Sequence, residues 1–179
     1  HPAGRRVHAP FHAADVAAYA DFLRAEGVAE GVPMEDMLRT SRAWRRCGHA
    51  AHAVPPRAAW PRIVPTLRLI ARIEADTGLS LDAVRSGWRD ETVNGCAGGA
   101  ARSRHLENVA LDIDLPLPSA RVETGDAPLD RLCGFWRRHG KTEAMGLGFY
   151  TPTRIHIDTA GYRTWGNDHH RGTSLCVKT

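Results

Sequence analysis

The stretch Ser103-Arg104-His105-Leu106-Glu107-Asn108-Val109-Ala110-Leu111-Asp112-Ile113-Asp114-Leu115 carries the reading of the fold. From Val109 to Leu115 the side chains alternate with the period of a strand, and Pro116 ends the run. Val109, Leu111 and Ile113 share one face, and Asp112 lies on the other. A carboxylate in the middle of such a strand is expensive to bury unless something positive meets it. A second alternating run, Ile155-His156-Ile157-Asp158, puts His156 and Asp158 on one face and the isoleucines on the other. If the two strands are neighbours, His105, Asp112 and His156 converge. Two imidazoles and one carboxylate suit Zn²⁺ with a fourth position open for water.

On either side of this stretch the pattern changes. Ala13 to Glu26 is helical, with Val16, Tyr19, Ala20 and Leu23 at three- and four-residue steps and Gly27 as a stop. A second helix is expected after Pro33, with Met34, Met37, Leu38 and Trp44 on one side. Gly48 to Pro56 reads as a loop, and Ile63 to Ala75 as a third helix with Leu67, Ile70 and Ile73 as its apolar stripe. Leu81 to Trp88 reads as a strand, followed by a Gly-rich turn through Gly95, Gly98 and Gly99. Leu129 to Arg138 is a short helix. Met145 to Tyr150 and Arg154 to Thr159 form a hairpin through Pro152. The expected class is α+β: helices first, then a small, mostly antiparallel sheet with helices packed on it. Residues 1–65 are expected to form a helical extension on a core of residues 66–179, within one compact molecule.

Length and composition agree with that class. A chain of 179 residues supports one core, and 42% hydrophobic with 25% charged residues is ordinary globular composition. No apolar run approaches the roughly 20 residues of a membrane helix. The net charge is only +4, with no dense basic stripe, so nucleic acid is not expected as a partner, and a monomer is. Arginine supplies nearly all the positive charge, since Lys141 and Lys178 are the only lysines. Cys47, Cys96, Cys133 and Cys176 contain no CxxC pair, which excludes zinc-finger spacing. They are either four buried thiols or two disulfides. The even count and the start at His1 favour an exported, periplasmic or secreted protein, with three pairings open. Of the ten histidines, His1, His8, His12, His49 and His52 sit in loop-like sequence, and the adjacent His169 and His170 are expected at the surface.

Two separated groups of residues carry a resemblance. The first is Ser86-Gly87-Trp88-Arg89 with Asn94, Gly98-Gly99, Ser103-Arg104-His105 and Ala110-Leu111-Asp112. The second is Gly146-Leu147-Gly148-Phe149-Tyr150, then Ile155-His156-Ile157-Asp158 and Arg163-Thr164-Trp165. Together, over about residues 80–166, they resemble the zinc D-Ala-D-Ala peptidases, closest to the exported murein-peptidase branch. The implied fold is the small α+β fold shared with the hedgehog signalling domain. The implied activity is zinc-dependent hydrolysis of a peptide bond in peptidoglycan, as a carboxypeptidase or an endopeptidase. By that resemblance His105, Asp112 and His156 hold the zinc, Arg89 grips a substrate carboxylate or carbonyl, and Ser103 bonds the substrate backbone. The plainer alternatives are a surface salt bridge for Arg89 and a turn residue for Ser103.

The chain departs from the family pattern at two places. Asn108 stands where the family has Gly, and Asn tolerates positive φ better than most residues. Tyr150 to Arg154 holds no carboxylate where many relatives carry the general base. Asp158, on the same strand face as His156, is the expected base, with orientation of a ligand as its alternative role. Glu107 and Glu143 are weaker candidates for the base. Loss of the base would leave a zinc-containing cell-wall-binding or protein-interaction module of the same fold.

Overall fold

The computed structural model describes residues 12–115 and 127–177. Pro116, His1 and His8 lie outside them. Helix α1 spans Ala13–Ala25, α2 Met34–Met37, α3 Val64–Thr77, α4 Glu91–Cys96 and α5 Pro128–His139. Strands β1 (Val84–Ser86), β2 (Ala110–Asp114), β3 (Gly146–Thr151), β4 (Arg154–Asp158) and β5 (Arg163–Trp165) form one sheet in the order β1-β2-β4-β3-β5. All neighbours are antiparallel except β3 and β5. This is the α+β class expected.

The apolar positions of the strands seat the sheet. Leu111 and Ile113 of β2, Leu147 of β3 and Ile155 and Ile157 of β4 are fully buried. They share one core with Leu67, Ile70 and Ile73 of α3 and Leu132, Phe135 and Trp136 of α5. Tyr19 and Leu23 of α1 join the same core, so residues from both sides of position 65 pack together. Burial of each such side chain stabilises the fold by about 1.5–3 kcal/mol. The left-handed Gly78 caps α3, where the sequence places a stop.

Three elements differ from expectation. The second helix is a single turn and does not reach Trp44. The backbone beyond it is claimed by tertiary partners: Thr40 N–H bonds Ala51 O, and Arg39 O accepts from Gly87 N–H. The strand expected over Leu81–Trp88 is only Val84–Ser86, because Leu81 N–H turns to Glu74 Oε1 and Gly87 N–H to Arg39. The expected Gly-rich turn begins with a helix instead. Asp90 Oδ1 accepts from Val93 N–H at 2.8 Å and caps α4, and the turn follows at Gly98 and Gly99. The hairpin of β3 and β4 forms as read, with a bulge near Thr151.

Two disulfides, Cys47–Cys96 and Cys133–Cys176, close loops of 49 and 43 residues in sequence separation. They resolve the three possible pairings and the thiol alternative. Among the described residues no helix is long and apolar enough to cross a membrane. Both facts are compatible with an exported protein.

Candidate metal centre

The polar face of the sheet is organised in two cross-strand rows. Register aligns Ser86 with Asp112, Asp112 with His156, His156 with Gly148, and Gly148 with Trp165. The next row is Ala110, Asp158, Gly146 and Arg163. The glycines of β3 are what let these rows close. A Cβ on Gly148 would stand 2.2 Å from the Trp165 ring, and one on Gly146 would stand 2.6 Å from Asp158 Oδ2. With no side chain on β3, Trp165 reaches across to His156, ring centroids 5.1 Å apart, and Arg163 reaches Asp158.

His105 hangs from the turn that precedes β2. That turn is closed by Asn108 N–H on His105 O and Val109 N–H on Arg104 O. It requires positive φ at Asn108, which adopts +55° and donates its side-chain amide to Ala59 O at 2.9 Å. The departure from the family glycine is thus accommodated in the backbone.

His105, Asp112 and His156 are all buried, and one ligand atom from each lies within 4.8 Å of the other two. Asp112 Oδ1 is 3.0 Å from His105 Nε2 and 3.0 Å from His156 Nδ1. The far side of each ring meets an acceptor. His105 Nδ1 is 2.7 Å from Gly87 O, and His156 Nε2 is 2.9 Å from Asp158 Oδ2. Donating a proton to each outer acceptor leaves the two inner nitrogens as lone pairs aimed at one point beside a carboxylate oxygen. That donor set fits a divalent metal ion. Without an ion, burial holds His105 below its usual pKa. Burial works against charge on His156 too, but its bonds to Asp112 and Asp158 outweigh it and raise the pKa. Burial likewise opposes ionisation of Asp112, yet the two imidazoles hold it well below the carboxylate range.

The surroundings of the other expected residues are as specific. Arg89 Nη2 donates to Asp112 Oδ2 at 2.6 Å, and its Nε bonds Ser86 Oγ at 2.8 Å. Arg89 is therefore not an exposed surface ion pair: its side chain is 11% exposed, and it clamps the aspartate. It also lines the cleft beside the centre, a cavity of about 1030 Å³, as does Ser103. Asp158 is fully buried and lies behind His156, off the cleft, bonded to Arg163 Nη2 at 2.5 Å and to Ala160 N–H at 2.8 Å. Burial opposes its ionisation, but His156 and Arg163 keep its pKa low. Of its two roles, this placement suits orienting His156 better than taking a proton in the cleft. Glu107 is paired with Arg62 and Arg104, and Glu143 with Arg72. Among the described residues Asp112 is the only carboxylate lining the cleft.

Two residues gain importance that sequence alone did not give them. Arg163 locks Asp158; its place in Arg-x-Trp was visible, but not its partner five residues back. Tyr150 lines the cleft with its ring edge-on to His156 at 6.4 Å. Burial and the neighbouring Asp112 push its phenol far above the usual pKa, so it stays protonated. Strand alternation from Gly146 and Gly148 puts Tyr150 on this face. His12, His169 and His170 are exposed, and His49 lies 3.7 Å from Asp90.

A family model described as Peptidase M15 matches residues 30–158, well over half of the chain. The chain belongs to the peptidase M15 family. This is the family of the D-Ala-D-Ala peptidase resemblance; it supports a peptidase, and the buried His105–Asp112–His156 group fits a metal site. No curated protein and no solved structure matches this M15 peptidase in the corresponding comparisons.

Proposed function

We propose that this protein is a zinc metallopeptidase that hydrolyses a peptide bond in peptidoglycan stem peptides or cross-links, outside the cytoplasm. The observation that carries the reading is the pair of imidazoles whose outer nitrogens are anchored and whose inner nitrogens face Asp112. His105, Asp112 and His156 would hold the zinc. When bound, the ion supplies Lewis acidity toward the scissile carbonyl and lowers the pKa of water toward ~7.

The remaining tasks fall to the chain's own side chains. Arg89 orients Asp112 through Nη2, and its Nη1, which has no partner among the described residues, grips the substrate carboxylate or carbonyl. Ser103 Oγ at the cleft wall bonds the substrate backbone. Tyr150, protonated at working pH, offers an O–H donor to an oxygen of the substrate. Asp158 accepts the Nε2 proton of His156 and so fixes the tautomer that presents Nδ1. Its assignment here is that of a positioning residue.

Purified murein incubated with the protein, with and without a chelator, tests the proposal. New muropeptides that vanish with chelator and return with zinc support it. A His156→Ala protein that still holds one zinc and cuts normally refutes the ligand set. A second reading, a wall-binding module that has lost hydrolysis, is favoured by the lack of a second carboxylate in the cleft among the described residues. It predicts retention on murein with one bound metal and no product.

A further inference from the structure

The cleft beside the metal centre is unusually rich in one residue type. Ten of its 24 lining residues are arginines, against one carboxylate, Asp112. Five of the ten meet carboxylates, as Arg89 meets Asp112 and Arg163 meets Asp158. The other five, Arg42, Arg45, Arg46, Arg102 and Arg171, are exposed and face no carboxylate among the described residues. The whole chain has a net charge of only +4, which five such arginines in one cleft exceed.

Two of these cations lie over aromatic rings, and three sit on a segment that a disulfide tethers. The Cys47–Cys96 disulfide ties the segment bearing Arg42, Arg45 and Arg46 to the end of α4, next to the Gly98–Arg102 stretch that also lines the cleft. Arg45 lies over Trp44 at 4.9 Å, and Arg171 over Trp136 at 5.8 Å. Guanidinium forks match carboxylates in a planar, bidentate way that ammonium groups do not. A cleft of one sign also focuses field on an incoming anion. Among the described residues the Tyr and Trp side chains lining the cleft, Tyr150 and Trp165, both pack against His156, whereas ten arginines line the same cleft.

We propose that this cleft selects peptides bearing two or more free carboxylates, one held near Arg89 and the others by the Arg42–Arg46 rim. This rests on the peptidase reading above for its substrate class and adds a charge requirement to it. The rim arginines form a second anchoring point, away from the metal. Stem peptides with free side carboxylates bind well, and the same peptides with those groups converted to amides bind poorly.

The test uses one synthetic stem peptide in two forms, side carboxylates free or amidated, titrated calorimetrically into metal-loaded protein. The free acid should bind at least about tenfold more tightly at low salt, with the gap shrinking at high salt. In an Arg42→Gln/Arg46→Gln protein the gap should fall below about threefold, with metal content and melting temperature unchanged. Equal affinities in the wild type overturn the proposal, as does a variant that keeps the full gap. Tighter binding of a single-stranded oligonucleotide than of the acidic peptide also overturns it. Product analysis runs in parallel. Preferential binding with no cleavage of either form sinks the peptidase reading and leaves the charge preference standing, whereas equal binding and cleavage of both forms does the reverse.

Discussion

Asp158 sits two residues beyond His156, a proposed metal ligand, and the two roles open to it make opposite predictions. A carboxylate that orients His156 acts through metal affinity; a base acts through turnover. Asp158→Asn should therefore weaken zinc binding by about 10–100-fold, with most activity recovered when the metal is saturating. Competition titration with a chromophoric chelator, followed by kcat at high zinc, checks this. Full zinc affinity with kcat lowered by about 10²-fold or more would return the base role to Asp158. The pairing of Asp158 with His156 was legible from period-two alternation along Ile155-His156-Ile157-Asp158. Its second partner was not, because Arg163 arrives from β5 and crosses above Gly146 to reach it. Asn108 is a similar case: its side chain type announces tolerance of positive φ, but its bond to Ala59 depends on a remote turn.

At the scale of elements, β3 works by what it omits. Gly146 and Gly148 leave a channel across the sheet, and the side chains of β5 fill it. A methyl at Gly148 displaces the Trp165 indole. Gly148→Ala should cost about 1–3 kcal/mol in urea unfolding and shift tryptophan emission to longer wavelength. An unchanged midpoint and spectrum would show that the packing is looser than this. The edge of the site is tied by Asp114 of β2, which takes Arg154 of β4 at 2.7 Å and Arg85 of β1 at 2.7 Å. Burial is the largest single influence and pushes the Asp114 pKa up, but the bonds and charges of Arg154 and Arg85 together outweigh it and hold the pKa below the usual value. A depressed native pKa means stability that is present above the unfolded value of about 3.9 and lost as pH falls through the native one. Solvent screens this partly exposed cluster, so Asp114→Asn should cost no more than about 1 kcal/mol at pH 7. The difference from wild type should vanish in strong acid, as read by denaturant midpoints across pH. Short elements were the least legible in sequence. The expected length of β1 and of the second helix failed because Arg39, Thr40 and Gly87 bond one another's neighbourhoods across 40 residues or more.

For the whole molecule, the two disulfides close long loops over a single core. In the chain-entropy account each limits the unfolded state, and loss of one costs about 2–5 kcal/mol. Cys133–Cys176 ties α5 to the C-terminal turn, so a Cys133→Ser/Cys176→Ser protein should melt lower by calorimetry while still binding one metal. Cys47–Cys96 ties together two segments that line the cleft, and its loss should weaken acidic-peptide binding as well as stability. Loss of stability with unaltered peptide affinity would confine that bridge to a structural role.

The sequence by itself determined the α+β class, the two alternating strands and the three side chains proposed as metal ligands, because strand period and residue chemistry are local properties. It also told which family those residues resemble. Only the tertiary structure decided the disulfide pairing, the burial of Asp158 behind His156, the clamp of Arg89 on Asp112 and the gathering along one cleft of arginines that meet no carboxylate among the described residues. Each of those depends on which distant segments meet, and long-range contacts are set by how the core packs, not by any pattern a local stretch of chain can display.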